Sequence, residues 1–132
     1  MTVASETNSS RAISLLPRPR ESSSSTSTSR SVMVTAPGVV RRTLHSGEAI
    51  TLVEIAIATG HEVPEHVHPH EQAGNVREGR VRFTINGVVT ELAAGDAYLI
   101  PGGIVHHVVA LEPAVLIEAF SPPREDFLAD LD

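Results

Sequence analysis

The chain has 132 residues, a formal net charge of −6, and neither cysteine nor lysine. Disulfides, thiol nucleophiles, thiolate metal sites and lysine Schiff bases are therefore excluded. From residue 41 onward six arginines stand against fourteen carboxylates, a balance that repels phosphate backbones and argues against nucleic-acid binding.

The length fits one domain. Apolar residues make up 41% of the chain and aromatics 3%, so a core of Val, Ile, Leu and Ala is expected. No apolar run reaches the length of a membrane span, and the N-terminus lacks a secretory h-region. A soluble cytoplasmic protein is the expectation.

Residues 1–36 read as a disordered leader. Ser22 to Ser31 is almost entirely Ser and Thr, which buries too little apolar surface to offset chain entropy. After Pro37-Gly38 short runs of Val, Ile, Leu and Thr alternate with turn residues, an all-β texture. Val39 to Leu44 is the first predicted strand. Ile50 to Thr59 follows, with Val53, Ile55 and Ile57 on one face. Val63 to His68 and Gln72 to Glu78 come next. Val81 to Ile85 presents Val81, Phe83 and Ile85 together, and Asn86-Gly87 predicts a tight hairpin into Val88 to Leu92. Ala97 to Ile100 ends at Pro101-Gly102-Gly103. Val105 to Leu111 and Ala114 to Phe120 are the last strands. Pro122-Pro123 breaks the pattern, and Arg124 to Leu131 is predicted as a short acidic helix within a tail from residue 122. So many short strands around one core close most naturally as a barrel or double-sheet jelly roll over residues 37–121.

His66 and His68, spaced i, i+2, share a face if the strand continues, and so does Gln72. Two adjacent imidazoles raise each other's cost of protonation, and a divalent ion removes that cost. His106, which follows a Pro-x-Gly turn, is the further candidate; His107 has the opposite parity and should face away. His70 follows Pro69 and is read as a neighbour of the site. His45 and His61 are read as packed or surface residues. Gln72 offers a neutral carbonyl oxygen, which leaves an ion's charge uncompensated and favours an anionic substrate; the alternative is that it only hydrogen-bonds a ligand. Three histidines and an amide leave positions open, as in catalytic sites. Without thiolates, the ion could be zinc, nickel, iron, manganese or cobalt.

These residues resemble the two motifs of the cupin superfamily. Gly60, His66, His68, Gln72 and Gly79 follow the first motif, with Gln in the Glu position. Gly95, Pro101, Gly103 and His106 follow the second, with Ala110 where Asn is usual. The resemblance implies a double-stranded β-helix, or jelly roll, and a homodimer. A narrower likeness covers residues 38–128. His66 to Gln72 and Phe120 to Leu128 resemble the pectin-degradation cupins, which convert 4,5-unsaturated monouronates to the linear 4-deoxy-5-keto form. That likeness implies metal ligation by His66, His68, Gln72 and His106, acid–base work by Glu118, and substrate contacts from Phe120 and Arg124. Two departures stand out. The family's aspartate is Glu118 here, and Asn75-Val76-Arg77-Glu78-Gly79 replaces its Tyr-Val-Leu-Glu-Gly. Glu118 and Phe120 share strand parity and can face one cavity. The alternatives are another cupin enzyme, such as a polyketide cyclase or a dioxygenase, and a non-catalytic metal- or sugar-binding module.

Overall fold

The computed structural model describes residues 32–127. Among them ten strands form: β1 (Met33–Ala36), β2 (Val39–Ser46), β3 (Thr51–Ile57), β4 (Glu62–His66), β5 (Glu71–Glu78), β6 (Arg80–Ile85), β7 (Val88–Ala93), β8 (Ala97–Ile100), β9 (His106–Ala110) and β10 (Ala114–Ser121). They build two sheets, one of six strands in the order β1-β2-β3-β10-β5-β8 and one of four in the order β4-β9-β6-β7. Neighbouring strands pair antiparallel throughout. The expected all-β jelly roll is the architecture. No helix among the described residues is long and apolar enough to cross a membrane.

Alternation sets the two inner faces. In β10 the residues Ala114, Leu116, Glu118 and Phe120 are buried, and in β9 His106, Val108 and Ala110 are. Val81, Phe83 and Ile85 of β6 meet them as their period-two pattern predicts. The core is rich in Val, Ile and Leu, but the few aromatics are not peripheral: Phe83, Tyr98, Phe120 and Phe127 are all buried. Asn86 and Gly87 both hold positive φ, 52° and 83°, as the predicted two-residue hairpin requires.

The structure moves three boundaries. The expected leader ends too late, because Met33–Ala36 pairs with β2 as β1; residues 1–31 lie outside the described residues. The strand predicted to carry both His66 and His68 stops at His66. In place of the helix expected from Arg124, residues 125–127 make a single 3-10 turn closed by Phe127 N–H to Arg124 C=O at 2.9 Å, and the remainder of that segment is outside the described residues. This turn is tied down from two strands. The Thr43 hydroxyl donates to the Phe127 carbonyl, and the Arg124 amide donates to Thr51 Oγ1.

Candidate metal centre and active site

His66 and His106 are cross-strand partners in the four-stranded sheet. A register shift between Val63 and His66 in β4 keeps both of those residues on the inner face. His68 lies beyond the end of β4, where its carbonyl accepts the Gly103 N–H at 2.8 Å. This bond ties it to the loop that leads into β9. Gln72 opens β5 in the opposite sheet, so its approach to His68 reflects chain reversal at Pro69-His70 rather than one continuous strand. The ligand atoms of His66, His68 and His106 lie within 4.8 Å of one another. The three histidines cluster as expected, with His68 brought in by the loop after β4 rather than along one continuous strand. His107 faces away, 3.5 Å from Glu62.

The hydrogen bonds fix which nitrogens are available. Nδ1 of His66 meets the Pro64 carbonyl at 2.7 Å, Nδ1 of His68 the His70 carbonyl at 3.1 Å, and Nδ1 of His106 the Ile104 carbonyl at 2.8 Å. A carbonyl only accepts, so each Nδ1 carries the hydrogen and each Nε2 presents a lone pair. Such second contacts are the usual means of orienting imidazole ligands. Nε2 of His106 is buried without a partner. Nε2 of His68 stands 3.1 Å from Oε1 of Gln72. The Gln72 amide nitrogen is committed elsewhere, to the Glu118 carboxyl, so two acceptors face each other. Burial, with Arg124 and the other two histidines adding to it, lowers the His68 pKa to about 4. Burial likewise lowers that of His106. Lone pairs converging from imidazole nitrogens and an amide oxygen are satisfied by a cation, and the residues fit a divalent metal ion.

A cavity of about 370 Å³ opens beside this cluster, lined by His66, Gln72, His106, Glu118, Phe120 and Arg124 among others. Glu118, 3% exposed, projects into it from β10. Its carboxyl accepts from the Tyr98 hydroxyl at 2.5 Å and from the Gln72 amide. Burial raises its pKa, against the opposing pull of those hydrogen bonds and of Arg124. Phe120 packs edge-on to the His68 ring, 5.6 Å between centroids. Arg124 spans Asp126 with two bonds, 3.0 and 2.8 Å long, and its guanidinium lies 4.0 Å from the Phe127 ring centre. His70 contributes a buried, unpartnered Nδ1 near the His68 ring. Nothing in the sequence marks Tyr98, Arg41 or Phe127 as part of the site, whereas Asp126 is a candidate partner for Arg124 from the sequence alone. Tyr98 falls within a predicted strand, but only pairing register links it to Glu118. Arg41 joins the cavity because its guanidinium also lies over Phe127, at 3.6 Å.

Comparison with known proteins agrees with this geometry. The cupin domain model matches residues 53–120. The pectin degradation protein KdgF of Dickeya dadantii is 36% identical over 93 residues, which are 69% of this chain and 84% of that protein. The solved structure of KdgF from a Halomonas species superposes with a TM-score of 0.72 at 30% identity, covering 76% of this chain and 94% of that one. An RmlC-like cupin from Shewanella frigidimarina gives a TM-score of 0.71 at 32% identity, with 76% and 90% covered. The chain belongs to the cupin family. Within that family it resembles the KdgF proteins along nearly their whole length.

Proposed function

We propose that the protein is a metal-dependent cupin enzyme of pectin breakdown. It converts a 4,5-unsaturated monouronate to the linear 4-deoxy-5-keto form. The observation that supports this reading best is the buried Glu118 carboxyl, which shares one cavity with the histidine cluster. The likeness to proteins named for pectin degradation supports the substrate class.

His66, His68, Gln72 and His106 would hold the ion. When bound, it supplies Lewis acidity toward substrate oxygens. Glu118 takes the proton from the anomeric hydroxyl. The bond between carbon 1 and the ring oxygen then breaks, which leaves an aldehyde at carbon 1 and an enolate at carbon 5. Glu118 returns the proton to carbon 4, and the 5-keto group forms. Net transfer is one proton from oxygen to carbon, with no oxidant or reductant. Arg124 offers a two-pronged donor to the substrate carboxylate. Asp126, 58% exposed, occupies that fork, and the substrate carboxylate would take its place. Phe120 forms an apolar wall.

The test follows the enol-ether absorbance of an unsaturated monouronate. The metal-loaded protein is expected to speed its decay well beyond a His66→Ala control. Equal decay in the two removes this substrate class.

A further inference from the structure

Tyr98 has no part in the chemistry above. It is 3% exposed, its ring packs 4.4 Å from Phe83, and its hydroxyl donates to Glu118 Oε2. The two residues are not on neighbouring strands. Tyr98 lies on β8 and Glu118 on β10, with β5 between them. Strands two apart in a sheet are separated by about 10 Å, and a side chain on the middle strand ordinarily blocks the way. Here the middle residue is Gly74, which pairs with Tyr98 on one side and with Glu118 on the other. A Cβ at Gly74 would lie 2.6 Å from both Cζ and the hydroxyl oxygen of Tyr98. Gly74 has no positive φ, so its conformation makes no demand for glycine; what excludes a side chain there is crowding, from the tyrosine ring and, at 2.9 Å, from the Ile117 carbonyl of β10. The empty space above it is what the tyrosine uses.

We infer that Tyr98, reaching over Gly74, is a positioning residue that holds the Glu118 carboxyl in its working orientation. The inference rests on the activity proposed above insofar as turnover reads it out. Tyr98 fixes one oxygen of the carboxyl while the Gln72 amide engages the group from the metal side. Glutamate has one more rotatable bond than the aspartate of the pectin-degradation cupins, and a group held from two sides loses that freedom. An aspartate at position 118 would withdraw the carboxyl by about 1.5 Å, one carbon–carbon bond, and would break the contact with Tyr98.

The test uses metal-loaded Tyr98→Phe, Gly74→Ala and the double variant. Tyr98→Phe is expected to lower kcat by about 10- to 100-fold, the scale of a misplaced catalytic group. KM should stay within about twofold and metal content should be unchanged. Gly74→Ala is expected to lower kcat at least as much, because its methyl displaces the tyrosine and also crowds the Ile117 carbonyl beside Glu118, and the double variant should be no worse than Gly74→Ala alone, because the tyrosine contact is already lost there. Independently of turnover, the infrared carboxyl band assigned by Glu118→Gln should shift in Tyr98→Phe. Wild-type kcat in Tyr98→Phe, or losses that multiply in the double variant, would overturn the inference. If the wild-type protein leaves the uronate untouched, the proposed activity fails, and the carboxyl band alone decides: an unmoved band refutes the role of Tyr98.

Discussion

The direction of one amide gives the site its character. Gln72 turns its nitrogen to Glu118 and its oxygen to His68, and so joins the ligand cluster to the buried acid. Glu118→Gln should retain metal and lose about 10²- to 10⁴-fold in kcat, the usual worth of a general acid–base group; steady-state assays with metal analysis check both halves. The histidines make a second prediction. His68 has its pKa depressed by burial to about 4 from the ordinary 6.5. The unfolded chain therefore protonates first as pH falls. The stability contributed by neutral His68 is complete above 6.5 and drains away as pH drops toward 4. Glu118 has the opposite sign: its pKa is raised, so its protonated form favours folding at low pH and its contribution is lost as pH rises. Melting temperatures of the metal-free protein between pH 7 and 4 should fall with acidity, and a His68→Asn variant should fall less steeply. The clustered histidines and Gln72 were legible because their residue types and spacing carry the chemistry of a metal site. Glu118, Phe120 and Arg124 were legible only through family likeness, since a lone Glu on a strand ordinarily faces water. Tyr98 was not legible at all. Its meaning depends on which strands flank β5, and no local pattern encodes that.

At the scale of elements, the strands with strong period-two patterns fell where alternation put them, β3, β6 and β10 above all. Phe83 at the centre of β6 is 1% exposed, and Phe83→Ala should cost about 3–5 kcal/mol in chemical denaturation. The tight hairpin offers a gentler probe. Gly87 holds φ of 83°, and Gly87→Ala should cost about 1–2 kcal/mol while leaving metal content intact. One element, β1, and one irregularity, the bulge in β4, escaped the sequence for physical reasons. β1 is an edge strand whose Val34 is 73% exposed, so main-chain pairing rather than a buried stripe holds it. In β4 strict alternation from Val63 would turn His66 outward, and the register shift before His66 restores it to the inner face. Residue spacing cannot reveal a bulge of that kind.

At the scale of the molecule, the candidate centre stands where the two sheets meet. His66 and His106 belong to the four-stranded sheet, Gln72 and Glu118 to the six-stranded one, and His68 to the connection between them. An ion there would tie the sheets together, so metal loss should be felt globally. A ligand at a hundredfold excess over its Kd stabilises by about 2.7 kcal/mol, which for a domain of this size corresponds to roughly 10 °C or more in Tm. Chelation should lower a single cooperative melting transition by that order, and re-addition should restore it. The most direct measurement is the metal content of the purified protein, after loading with zinc, nickel, iron, manganese or cobalt in turn. One ion per chain is expected for at least one of these metals, with near-complete loss in His106→Ala. A wild-type protein that retains none of them, or a His106→Ala variant that holds as much as wild type, would contradict a centre built from His66, His68, Gln72 and His106.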